Sequence, residues 1–158
     1  MQITRAADYA VRVLVYLAGL APGTRVRRST LAEASDAPED FLSKVLQRLV
    51  AAGLISSHRG AGGGFELAGP PDRISLLRVV EAIDGPVELN ICVASGPGCE
   101  RQLSCAVHPV WVKAQDALLE VLNGESIAKL ASGPEKSKTA KSTTDKHCIT
   151  VSQTKGSL

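Results

Sequence analysis

Cys92, Cys99 and Cys105 are separated by six and five residues, in a stretch from Pro86 to about His108 that has neither helical nor alternating apolar spacing. A connection longer than ~12–15 residues inside a compact domain is usually functional or disordered. This one carries three thiols, and thiolates favour soft metals and iron–sulfur clusters. The gaps are wider than the tight cysteine pairs of structural zinc sites, which argues against a zinc knuckle. Three thiolates around a cluster leave one position for another ligand, and such an incomplete cage suits a sensor open to oxygen, nitric oxide or iron loss. The plainer alternative is three reduced, unligated thiols. Cys148 lies apart, in a tail rich in Lys, Ser and Thr.

A second set of residues has the chemistry to read nucleic acid. Ser43, Lys44, Gln47 and Arg48 form the polar side of an amphipathic run. Gln and Arg can bond bidentately to adenine and guanine, and Lys can serve a base or a phosphate. The bland counterpart is an ordinary solvated helix face. Arg59 then opens a run of glycines, Gly60-Ala61-Gly62-Gly63-Gly64. Glycines such as Gly60 and Gly62 let a backbone approach a groove closely, and Arg is favoured in narrow minor grooves. A nucleotide cradle is excluded here, because no Lys-Ser/Thr ending and no helix follow the glycines. Arg25, Arg27 and Arg28 could hold phosphates and fix register.

These residues need elements to carry them. Ala7, Ala10, Val11, Leu14, Leu17 and Ala18 recur at helical spacing, and Gly19 ends that run. Thr30, with Glu33 three residues on, reads as a capping box opening a short helix whose inner face is Leu31 and Ala34. Pro38 reads as the first position of the next helix, with Phe41, Leu42, Val45, Leu46 and Leu49 as its apolar stripe and Gly53 as a left-handed cap. Two short helices joined by a tight turn form a helix-turn-helix. Leu54–Arg59 and Phe65–Leu67 flank the glycines as strands, which makes a wing. Ser75 caps a further helix to Ile83. Pro109–Leu122 is the last strong helix, with Trp111, Gln115, Leu118, Leu119 and Leu122 on one side.

The expected architecture is therefore mainly α. A winged helix-turn-helix domain spans residues 1–85, a cysteine-bearing loop 86–108, a long C-terminal dimerisation helix region 109–132, and a disordered tail 133–158. The apolar side of the last helix is more than a small N-terminal unit can cover, so it is expected to pair in a two-fold dimer.

Composition narrows the function classes. The net charge of the 158 residues is only +2, so local placement must argue for DNA; residues 1–67 hold eight Lys/Arg against six Asp/Glu. No window approaches the ~18 apolar residues of a membrane span, and Met1–Asp8 does not read as a secretory signal. A cytoplasmic protein is expected, where clustered cysteines act as ligands or redox groups more often than as disulfides. Catalysis is disfavoured. The three histidines (His58, His108, His147) have no triad-like neighbours, and no Cys-x-x-Cys is present.

The start Thr4…Asp8-Tyr9-Ala10-Val11, the wing Arg59-Gly60-Ala61-Gly62-Gly63-Gly64-Phe65 and the cysteines Cys92…Cys99…Cys105 together resemble the IscR/NsrR group of bacterial winged-helix regulators, the Rrf-two superfamily. The likeness covers roughly residues 1–132. It implies a homodimer on palindromic promoter DNA, commonly a repressor, with an iron–sulfur cluster controlling occupancy in response to redox state, nitric oxide or iron status. His108, three residues after Cys105, matches the residue that completes a 2Fe–2S site in IscR-like members. Asp8 matches the residue that NsrR-like members lend across the dimer to a 4Fe–4S site. The first cysteine gap is one residue longer than the family's usual five, and Ser43 replaces a Glu found in some members, so neither cluster type nor operator carries over. A cluster-free regulator of the same family, switched by thiol oxidation or a partner protein, is the alternative.

Overall fold

The computed structural model describes residues 2–94 and 98–133. The expected disordered tail, except Gly133, and Cys148 lie outside them.

Helix α1 (Arg5–Ala18) is the hub. The Thr4 hydroxyl caps it, accepting from the Ala7 amide, and Ala7, Ala10, Val13, Leu14 and Leu17 are buried. Helix α2 (Arg28–Ser35) begins two residues before Thr30 and has no side-chain cap, so Thr30 and Glu33 do not form its boundary. The tertiary reason is a backbone bridge. Val26 exchanges both main-chain hydrogen bonds with Phe65 (2.9 and 2.8 Å), which fixes the entry to α2 immediately afterwards. Its inner face is Leu31, Ala32 and Ser35; Ala34 is exposed.

Helix α3 (Glu39–Ala51) starts one residue after Pro38, which sits at the N-cap with extended geometry. Leu42, Val45, Leu46 and Leu49 are buried, whereas Phe41 is 42% exposed and packs edge-on against Tyr9. Gly53 (φ 67°) ends the helix as expected: its amide donates to Val50 O and that of Leu54 to Leu49 O, both at 3.0 Å. That double bond pattern is a Schellman motif, which needs a left-handed residue. Strands β1 (Ile55–His58) and β2 (Gly64–Leu67) pair antiparallel with Ile55 opposite Leu67 and His58 opposite Gly64. With the Val26 bridge they make the wing.

Helix α4 (Leu76–Asp84) is capped by Ser75, and Gly85 (φ 84°) terminates it. A 3-10 turn, Gln102–Ser104, interrupts the cysteine stretch before α5 (His108–Gly124). The chain then returns. Short helix α6 (Ile127–Ala131) is tied to the start of α4 by Leu76 N–H to Glu125 O and Ile127 N–H to Ile74 O, both 2.8 Å, and Ile127 is fully buried in the main core around α1. A smaller core joins α4 to α5 through Val80, Val87 and Leu122, flanked by Leu118 and Leu119, so most of the side of α5 expected to pair across a dimer is covered by α4 of the same chain. Val110, Trp111 and Val121 of α5 remain exposed.

Candidate DNA-reading face and thiol loop

Helix α3 turns Ser43, Lys44 and Gln47 away from the core, and a groove of about 310 Å³ separates that side from the wing. Arg28, Ser43, Gln47 and Ser57 give the groove polar walls, and Val50 and Phe65 its apolar floor. Arg28 is not a free cation. Its Nε bonds Glu39 Oε1 at 2.9 Å and its Nη1 lies 3.2 Å from Ser43 Oγ. The pair offsets negative charge at the start of α3. Lys44 and Gln47 are exposed.

Arg48 is placed differently from its sequence neighbours. Its Nη1 donates to Ile83 O of α4 at 2.7 Å, although the residue is exposed and lies one turn beyond Lys44 on the same helix. At 100° per residue, Arg48 falls on the flank of α3 toward α4, and binary patterning alone cannot tell that flank from the solvent face.

Arg59 is exposed where β1 enters the wing turn. The glycines have distinct jobs. Gly60 has a left-handed φ of 97°. A Cβ at Gly63 would collide with the His58 carbonyl oxygen, and one at Gly64 would stand 2.7 Å from Val26 O. The tight turn and the Val26 bridge demand these two. Gly62 is exposed, and nothing among the described residues stands near its missing Cβ.

A wing cluster went unforeseen. Glu66 Oε1 lies 2.6 Å from His58 Nε2, and its Oε2 is 3.7 Å from Arg25 Nε. Glu66 is the only acidic residue between Asp40 and Asp72, which was the available signal. Arg25 is thereby tethered to the wing.

On the other side of α4, Cys92, Cys99 and Cys105 are half-buried free thiols. Cys92 and His108 line one open cleft of about 220 Å³ together with Gln102 and Gln115. The Gln102 amide nitrogen is 3.3 Å from His108 Nε2, and the buried His108 Nδ1 has no partner among the described residues. Backbone bonds close a local turn after each of the later thiols: Gln102 N–H to Cys99 O (2.9 Å) and His108 N–H to Cys105 O (3.1 Å). Thiols and an imidazole with an orphaned nitrogen are the donor chemistry of an iron–sulfur site. Among the described residues, no three Cys, His, Asp or Glu side chains stand close enough together to hold a metal ion. Asp8 does not line the cleft; its carboxylate pairs with Arg12 on its own helix at 2.8 Å.

Gln115 holds the loop in place. It is 7% exposed, donates to Val87 O at 2.5 Å and accepts from Leu89 N–H at 2.9 Å. Sequence reading counted it with the apolar side of α5, because burial there does not reveal which backbone a lone amide will meet.

A mainly helical chain with this helix-turn-helix and wing is a winged-helix protein. The solved structure of CymR, the global cysteine regulator of B. subtilis, superposes with a TM-score of 0.70 at 25% identity, over 85% of this chain and 99% of that one. Residues 3–133 match the Rrf2 family, described as iron-dependent transcriptional regulators. The chain belongs to that family, and so to transcriptional regulators rather than enzymes. It is 36% identical over 133 residues to a Mycobacterium tuberculosis protein assigned as an HTH-type transcriptional regulator, covering 84% of this chain and 83% of the relative. The HTH-type transcriptional regulator IscR of Escherichia coli is 29% identical over 135 residues, 85% of this chain and 83% of IscR. None of the described helices is long and apolar enough to cross a membrane.

Proposed function

We propose that this chain is a cytoplasmic, homodimeric repressor whose hold on promoter DNA is set by an iron–sulfur cluster. The observation that carries the reading is the thiol loop, with Cys92 and an orphaned His108 nitrogen at one cleft, in a chain of an iron-dependent regulator family. Ser43, Lys44 and Gln47 read the major groove, Arg28 buttresses that face through Glu39 and Ser43, and Arg59 with Gly60 and Gly62 enters the adjacent minor groove. Two-fold pairing through the exposed Val110, Trp111 and Val121 stripe of α5 matches a palindromic site. Cys92, Cys99 and Cys105 would hold the cluster, with His108 as the fourth ligand and Asp8 of the second subunit as the other candidate. When bound, the cluster supplies reversible one-electron chemistry and lability to oxygen and nitric oxide. The chain's own part is to keep three thiols accessible and clamp the loop to α5.

The second reading is a cluster-free thiol switch. It draws on three partly exposed free thiols that stand apart from any metal-holding arrangement among the described residues. Anaerobic purification separates the two. Brown protein with iron and sulfide near stoichiometry, whose DNA affinity changes on exposure to nitric oxide, is expected. Colourless protein with negligible iron, responding to oxidant alone, would replace the first reading with the second.

A further inference from the structure

We propose that residues 83–89 form a hydrogen-bonded coupling segment between the thiol loop and α3, with Arg48 as the positioning residue at the DNA end and Gln115 at the loop end. Within seven residues the segment is gripped from three helices, twice through its main chain and once through the Asp84 side chain. Ile83 O receives the Arg48 guanidinium of α3 at 2.7 Å. The Asp84 carboxylate receives the Thr4 amide (3.0 Å) and hydroxyl (2.6 Å) at the head of α1. Val87 O and Leu89 N–H are clamped by Gln115 of α5. Cys92 follows Leu89 by three residues.

The chemistry of each grip favours coupling over incidental contact. Ile83 O is among the last carbonyls of α4, which have no intrahelical partner, and a cation there also meets the negative end of the helix dipole. Arg48 is therefore a C-terminal cap supplied by the recognition helix, made only while α3 and the end of α4 keep their present spacing. Gly85, at φ 84° with open space where a Cβ would be, gives the segment a swing point just beyond the cap. Val87 is 3% exposed and belongs to the small α4–α5 core, so the segment moves with that core or not at all. A displacement of the thiol loop that pulls on residues 87–89 reaches Ile83 O, and through Arg48 it tilts the face bearing Ser43 and Gln47.

The DNA readout rests on the proposed function; the coupling itself does not. The test is a double-mutant cycle on the full chain. Fluorescence anisotropy measures binding to a duplex that the wild type selects from a random pool, and hydrogen exchange follows the α3 amides. Gln115→Leu is expected to weaken DNA binding by about fivefold, the low end of allosteric couplings. In an Arg48→Met background it should add less than about twofold, the limit of additivity between independent sites. Arg48→Lys, which keeps a donor, should restore the coupling. Equal effects of Gln115→Leu in both backgrounds would overturn the proposal. So would a fall of about one in the salt slope on Arg48→Met, which would mark Arg48 as a phosphate contact. If the wild type selects no DNA, the proposed function fails, and exchange still decides the coupling. Gln115→Leu should then speed α3 exchange when Arg48 is present and leave it unchanged in Arg48→Met.

Discussion

Replacing Gln115 by Leu removes two hydrogen bonds at one buried point and leaves the volume nearly unchanged. Val87 O loses its donor and Leu89 N–H its acceptor. A buried polar group stripped of its partner costs about 1–3 kcal/mol. Val87 is 3% exposed and bears the full penalty, whereas Leu89 is only half-buried and recovers part of it from water. The sum is about 2–4 kcal/mol, and the added apolar contact of Leu returns about 1. A net local cost near 2 kcal/mol follows. It should appear as opening of residues 87–92 rather than as global unfolding, because the main core around α1 does not include this segment. Native-state hydrogen exchange at the Leu89 amide should therefore quicken roughly 30-fold, at 1.4 kcal/mol per decade, while the slowest α1 amides keep their rates. Unchanged Leu89 protection in Gln115→Leu would refute the clamp.

Arg59→Ala should weaken operator binding by about tenfold or more at physiological salt, with an unaltered thermal midpoint, because the exposed side chain serves no core contact; binding like wild type, by anisotropy, removes the wing assignment. Cys99→Ala should give a folded chain whose DNA affinity no longer changes on exposure to nitric oxide or oxidant, checked by sizing and binding with and without the signal. Val121→Asp places a charge in the exposed stripe of α5 and should shift the protein to monomer in analytical ultracentrifugation, with retained helicity by circular dichroism. Ile127→Ala should lower stability to chemical denaturation by about 2–4 kcal/mol, since its fully buried side chain would leave a cavity in the α1 core.

Periodicity, caps and glycines made most of the fold legible. The α1 run, the Ser75 and Gly53 caps, the wing and the start of the last helix near Pro109 follow from local rules of spacing and backbone geometry. The short second helix did not, because its start is set by Val26 bridging Phe65, a partner 39 positions away. The place of Ile127 is likewise beyond local pattern, because the returning backbone sets it in the central core.

For the site, residue type alone picked out the thiols, Arg59 and the Ser43–Lys44–Gln47 face, whereas His108 entered only through the family resemblance. Chemistry such as soft ligation or bidentate hydrogen bonding belongs to the side chain wherever it lies. Which way a side chain is used depends on what the fold sets opposite it. Tertiary packing gave Arg48 to the end of α4, Arg28 to Glu39 and Ser43, Glu66 to His58 and Arg25, and Gln115 to the thiol loop. Each is a polar group whose partner lies eight to 41 residues away, beyond the reach of any local pattern, and for the buried Gln115 the meeting is obligatory.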